Sequence, residues 1–323
     1  MQIKEFLLLV GQKLLYLIGM LFLISIITFG AIHLAPNSFF SAGSLNPNMT
    51  KEAIAHLKSV YGLDKPLLIQ YWLWLKSILH FDFGVSFVSG ESVIEEIKSR
   101  LWITLGINLV SMILIFFLSF YFGIKSALNG GKKDLFLKQI ALVSYATPSF
   151  YLALLLILIF GLKLGWFPIT GLESLEPKSG IAKILDIAWH LVLPIFVIVF
   201  VGFGSLMLYV RSLTIDILKS DYIFFAKARG LDDKKIIKYY IYPNLMPFIV
   251  TILGLSLPGL LGGSVILEQI FSIDGMGLLF YQSALSRDYP VIMGILIIGA
   301  FLTLLGNMIA DLILLKIDPH RKK

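Results

Sequence analysis

The chain has 323 residues, 58% of them hydrophobic and 15% charged, with a formal net charge of +7 and no cysteine. Soluble domains are about 45–50% apolar and about 25% charged. Here the mean hydropathy is +0.88 and the apolar residues stand in long blocks, the pattern of an integral membrane protein, where one crossing takes about 20 apolar residues. The missing cysteines exclude disulfides and thiolate metal sites.

Six spans are predicted in chain order: Leu14–Ala35, Leu101–Ile124, Gln139–Leu164, Ala188–Val210, Leu245–Leu267 and Val291–Leu315. The first is too long for a signal peptide and lacks a small-x-small cleavage site, so it reads as an uncleaved span. Together they make an all-α integral membrane protein, one transmembrane domain over residues 1–323. With the N-terminus inside, the inner segments hold 17 of the 27 basic residues, whereas the outer stretch 36–100 holds six basic and six acidic ones. Basic residues mark the cytoplasmic side, so both termini are expected in the cytoplasm, and the positive charge reflects topology rather than nucleic acid.

In the outer stretch, "TKEAIAHLKSVYGLDKP" starts on Thr50 as an N-cap and repeats apolar residues at helical spacing. "LLIQYWLWLKSILHF" follows, too short to span. It reads as an interfacial or re-entrant piece anchored by Tyr71, Trp72 and Trp74, or as a helix lying on the spans. On the cytoplasmic side, "GGKK" (Gly130–Lys133) lacks the spacing of a phosphate loop and reads as a basic turn.

The loop 211–244 is the most charged part of the interior. Its core, Ser220–Pro247, reads as two short helical pieces hinged at Gly230. In the first, Ala226 and Gly230 lie one turn apart and form a small-residue face. In the second, Asp232 is placed to cap, and Ile236, Ile237, Tyr240 and Ile241 form a stripe. Two uses fit: docking to a soluble partner, or lying as a basic amphipathic loop on anionic headgroups.

Polar side chains inside the spans are few: His33, Asn108, Asn307 and Asp311. His33 reads as a satisfied interfacial residue, the asparagines as interhelical hydrogen bonders, and Asp311 as a partner for a basic residue at the inner end. No relay of buried acids is present, and the five histidines form no His-Glu-x-x-His pair, which argues against a proton-coupled carrier and a zinc enzyme. Backbone irregularities concentrate in the fifth span, at Gly254, Pro258, Gly259, Gly262 and Gly263, and at Pro148 in the third. They suit kinked walls of a translocation path, or simply close helix packing.

"DYIFFAKARGL" resembles the coupling loop of ATP-binding-cassette importer permeases, in the dipeptide, oligopeptide and nickel branch. Asp221, Tyr222, Ala226, Lys227, Ala228, Arg229, Gly230, Asn244 and Pro247 carry the match. "GVSFVSGESVIEEI", "PSFYLALLLILIFGLKLGWFPITG", "HLVLP", "LLGGSVILEQIFSIDGMG", "RDYPV" and the terminal "DP" resemble the same branch in the same order. The chain departs from it in "PNSF" after the first span, in Phe224 and Phe225 where a general coupling loop has Glu-Ala, and in "KYYIYPN" before the asparagine.

The resemblance implies a type I importer permease fold with a coupling helix between spans 4 and 5. It implies no catalytic site, metal or cofactor on this chain, with ATP and Mg held by separate ATPase subunits. The implied partners are a second, similar permease, two cytoplasmic ATP-binding subunits, an extracytoplasmic solute-binding protein and membrane lipid, with no nucleic acid. The implied site is the bacterial inner membrane, and the cargo a dipeptide or oligopeptide, with nickel chelates and glutathione as neighbours in the branch. Glu268, Asp274, Arg287 and Asp288, flanking the last two spans, are candidates for an outer gate or a contact with the binding protein, or are capped, solvated loops.

Overall fold

A computed structural model describes residues 3–34, 65–256 and 264–317. The helix expected from Thr50, the "PNSF" turn, Pro258, Gly259, Gly262, Gly263 and the terminal "DP" lie outside the described residues. Among those described, the structure is helical: α1 (Ile3–Leu34), α2 (Leu67–Leu79), α3 (Val93–Asn129), α4 (Gly131–Ala146), α5 (Ser149–Leu156), α6 (Gly180–Leu218), α7 (Asp221–Ala228), α8 (Asp233–Ile236), α9 (Tyr242–Ser256), α10 (Val265–Phe271), α11 (Met276–Ser286) and α12 (Tyr289–Ile317). Two π-helical turns, Ile157–Lys163 and Ile237–Ile241, extend α5 and join α8 to α9.

Five stretches are long and apolar enough to cross a bilayer: Val10–Ala31, Val93–Asn129, Gly180–Leu218, Asp233–Gly254 and Tyr289–Leu312. A sixth is obtained by joining Gly131–Ala146 to Ser149–Lys163, which are bent by 99° at their break. The bend has a local cause. Pro148 disfavours helical geometry in the residue before it, and Thr147 is extended, with ψ 121°. The predicted third span is therefore a sharply broken element rather than a straight crossing.

The chain divides into two compact units. The first takes Met1–Thr104, Leu261–Val265 and Gly275–Met308. In it α2 packs along α1: Ser25 Oγ and Tyr71 OH are 2.8 Å apart, and Phe29 meets the rings of Tyr71 and Trp74 at 5.3 and 5.5 Å. Of the three aromatics expected to anchor α2 at the interface, only Trp72 points outward, at 65% exposure. The His33 ring is held between the Phe29 carbonyl, 2.9 Å from Nδ1, and Gln70 Oε1, 3.2 Å from Nε2. Val93, Ile97, Met276, Leu279 and Val291 form a buried cluster, next to which the Met276 N–H donates to Thr104 Oγ1 at 2.9 Å.

The second unit takes Leu105–Leu260, Ile266–Asp274 and Ile309–Lys323. Here helices approach through small residues, the usual means of close packing between membrane helices. A Cβ on Gly204 would collide with the Ala141 carbonyl and lie 2.7 Å from the Tyr145 nitrogen. Hydroxyls stitch the same contacts, with Ser144 Oγ donating to the Phe200 carbonyl and Ser119 Oγ to that of Phe203. The main core of this unit is Ile124, Leu206, Val210, Ile223, Ile236, Ile241 and Leu245. It gathers the end of α3, the second half of α6 and the whole stretch from α7 to the start of α9.

Candidate functional site

The charged loop of the sequence is mostly helix. α6 does not stop at Val210 but runs to Leu218, because Leu213, Ile217 and Leu218 still pack on the core. Ser220 then turns the chain, with extended backbone at φ −73° and ψ 149°, and α7 follows at once. α7 ends in paired reverse hydrogen bonds: Gly230 N donates to the Lys227 carbonyl at 2.9 Å and Leu231 N to that of Ala226 at 3.2 Å. This is a Schellman closure, which places its pivot residue in the left-handed region. Gly230 has φ +80°, where a residue with a Cβ costs about 1 kcal/mol. The predicted hinge is thus a fixed corner.

The corner is anchored from within. Ile223 and Ala226, 1% and 2% exposed, face the core, and Leu231 packs beside them. This corrects the expectation of an outward small-residue face, since Ala226 is covered by the chain itself and only Gly230 of the pair is open. The outward face of α7 is made of Tyr222, Phe224, Phe225, Lys227, Ala228 and Arg229. Phe224 and Phe225 are 70% and 60% exposed and meet edge to face at 5.7 Å. Two large exposed aromatics flanked by two cations form the kind of patch that marks a protein contact.

The second piece begins as predicted, with Asp232 Oδ1 accepting from the Lys235 N–H at 3.1 Å. Ile236 and Ile241 are fully buried, and Ile237 and Tyr240 complete the stripe from its margin. Tyr240 stacks on Tyr222 of α7 at 6.2 Å with ring planes 12° apart. α8, the π-turn and α9 continue without a break, so the loop's second half is the first turns of the fifth span rather than a separate piece. Pro243 and Pro247 lack N–H donors and loosen this stretch, and Asn244 Nδ2 donates to the Tyr240 carbonyl at 2.7 Å. Asn244 is exposed and Pro247 half-buried.

An ion pair that sequence reasoning did not find ties this unit together. Asp134, in the first turn of α4, receives Arg211 Nε at 2.6 Å and Arg211 Nη2 at 2.5 Å. Ser126 Oγ, at the end of α3, donates to the same carboxylate at 2.5 Å. Three helices therefore meet on one carboxylate, in the two-pronged geometry that makes arginine pairs strong. The signal was faint: an acid just after Gly-Gly and an arginine ending an apolar run, 77 residues apart.

α3, α6 and α9 enclose an open groove of about 690 Å³. Asn108, Ser111, Ser205, Tyr209 and Ser256 line it among apolar side chains, and among the described residues no charged one does. Asn108, expected between helices, belongs to this wall. Gly254 does not: a Cβ there would stand 2.7 Å from Ala310 Cβ, so it is a packing glycine against α12. Pro148 sits at the 99° bend.

The four outer candidates divide between the units. Glu268 on α10 is buried and Asp274 exposed, both in the second. In the first, Arg287 closes α11 in the left-handed conformation, and Asp288 is a buried clasp. Its carboxylate accepts from Ser86 Oγ at 2.5 Å and from the Phe87 N–H at 3.1 Å, holding the turn before α3. Burial raises its pKa against the opposing pull of these donors. Asp288 is thus a structural fastening, unlike a solvated loop acid.

Residues 115–323 match the family described as binding-protein-dependent transport system inner membrane component, and residues 6–108 match its N-terminal counterpart. The chain is 37% identical over 299 residues to the oligopeptide transport system permease protein AppB of Bacillus subtilis, covering 92% of this chain and 93% of that one. It is 32% identical over 311 residues to the oligopeptide transport system permease protein OppB of Haemophilus influenzae, covering 95% and 97%. It is also 32% identical over 297 residues to the inner membrane ABC transporter permease protein YejB of Escherichia coli O157:H7, covering 90% and 80%.

Proposed function

Since the chain belongs to the family of binding-protein-dependent transport system inner membrane components, we propose that it is the permease subunit of an ATP-driven peptide importer and that α7 is the handle by which ATPases move its spans. It is a multi-pass inner membrane protein that acts with other components of a transport system. Its relatives named as oligopeptide permeases support peptides as the cargo. The excess of Lys and Arg supports a cytoplasmic position for the termini and for α7. In this reading the chain pairs with a second permease, two ATPase subunits carrying ATP and Mg dock on the pair, and an extracytoplasmic binding protein delivers the solute.

One observation carries the handle: an exposed Phe224–Phe225 face rigidly joined to two spans. The Schellman closure and the Ile223–Ala226 contacts leave α7 little freedom to move alone. A pull on its outer face is therefore transmitted to α6 through Ser220 and to the fifth span through Leu231 and Ile236. ATP shifts the conformational equilibrium only by the binding energy gained in the closed form, and a rigid handle keeps that energy from being lost in local bending.

The test is purification from native membranes in mild detergent. An ATPase and a second multi-span chain should accompany the wild type. Phe224→Ala with Phe225→Ala should reduce ATPase recovery about tenfold or more, since buried aromatic anchors dominate interfaces, while the protein remains inserted. Unchanged ATPase recovery would reject the docking face. Solute uptake driven by a proton gradient and indifferent to ATP would reject the importer.

A further inference from the structure

The groove between α3, α6 and α9 contains an unexplained buried hydroxyl. Among the described residues, Ser111 Oγ is the buried side-chain atom with no hydrogen-bond partner, on a residue 1% exposed. Many helical hydroxyls of the chain donate to a carbonyl, either one turn back, as Thr214 does to Val210, Ser256 to Ile252 and Ser286 to Gln282, or across to another helix, as Ser119 does to Phe203 and Ser144 to Phe200. Ser111 does not, although a buried polar group left unmatched is costly and rare.

Its surroundings share one chemistry. Asn108 lies one turn before Ser111 on α3, and Ser205 and Tyr209 lie one turn apart on α6, all lining the same groove. Polar side chains at membrane depth persist where they face protein or a wet cavity, not lipid. Hydroxyls and a carboxamide can each donate and accept, which suits the alternating N–H and C=O of a peptide backbone. A neutral wall also holds solute weakly enough to release it, as conduction requires.

We propose that this groove is a solute-contacting wall of the translocation path, in which Ser111, Asn108 and Ser205 hydrogen-bond the backbone amides of a peptide. The assignment rests on the peptide-importer reading above. It makes the wall indifferent to the charge of the peptide's side chains.

The chain has no cysteine, so single cysteines report cleanly. In native membranes holding the whole complex, a charged, membrane-impermeant thiol reagent should modify Ser205→Cys. It should spare Leu109→Cys, which is exposed on α3 outside the groove. Tri-alanine should slow the reaction at Ser205→Cys. Ser111→Ala should raise the KM for tri-alanine uptake about three- to tenfold, the worth of one hydrogen bond. Its thermal stability should stay unchanged or rise, because an unmatched hydroxyl is removed; a merely structural serine would leave KM untouched.

Equal reactivity at both cysteines, or none at Ser205→Cys, overturns the wet groove. Reactivity that tri-alanine leaves unaltered, in a complex that imports tri-alanine, overturns the peptide contact, and an unchanged KM for Ser111→Ala overturns the role of that hydroxyl. A complex that imports no peptide sinks the peptide reading and the backbone contact with it, while the cysteine reactivities still decide whether the groove is wet.

Discussion

The corner at Gly230 and the ion pair of Asp134 with Arg211 hold neighbouring parts of one unit by opposite means. The corner is built from residues adjacent in the chain: a capping aspartate, a left-handed glycine and two reverse hydrogen bonds, all between Ala226 and Lys235. The ion pair joins α4 to α6 across 77 residues and recruits Ser126 from α3. The first shapes the backbone locally and leaves its outer face free. The second fixes where helices stand and lets a charge sit at the end of an apolar run. A handle needs both, a rigid shape and a rigid mounting.

Breaking the mounting should have the larger effect. Arg211→Met leaves the Asp134 carboxylate, among the described residues, Ser126 as its donor. The pair is about one-fifth exposed on each side, so a cost of about 2–3 kcal/mol is expected, below that of a fully buried pair. Thermal unfolding in detergent would measure it. Adding Asp134→Leu should recover much of the loss, since an apolar pair can replace a buried ionic one; a double variant no better than the single would show that the pair is not what α6 depends on.

Next comes Gly230→Ala. A Cβ there meets no neighbour within 4 Å, so only the backbone objects, at about 1 kcal/mol. Hydrogen exchange should show the amides of Gly230 and Leu231 losing protection while those of α6 keep theirs. Smallest is Asp232→Ala, a lost cap worth about 0.5–1 kcal/mol at an exposed helix start. Asp232→Ser should restore it, and equal stability of the Ala and Ser variants would deny the cap any role.

Legibility followed the same division. Gly230, Asp232 and the stripe from Ile236 to Ile241 were readable because their signals are contiguous and periodic. The break at Pro148 was readable too, but its 99° angle was not, since the proline fixes only the geometry of Thr147 and packing sets the rest. The helices at the end of the fourth span and the start of the fifth run beyond the apolar stretches, α6 to Leu218 and the next from Asp233. Arg211 looked like the start of a solvated loop, and its distant partner Asp134, together with Leu213, Ile217 and Leu218 packed on the core, shows why the helix continues to Leu218. The inward turn of Ala226 was missed because small size alone does not say which protein a residue packs against. Ser111 gave no signal at all: one serine in an apolar span becomes notable only when its neighbours fail to satisfy it.

The π-turn at Ile237–Ile241 has a consequence for comparing relatives. Such a turn is an α-helix carrying one residue more than its hydrogen-bond ladder can use. Each residue of an α-helix advances the rotation by about 100°. The wide turn takes up about that one residue's rotation, so a relative with one residue fewer there would regain regular helix and still present Ile236 to the core and α7 on the same side. A one-residue gap at this place would therefore leave the handle's heading unchanged, whereas the same gap in the regular helix on either side would turn it by about 100°.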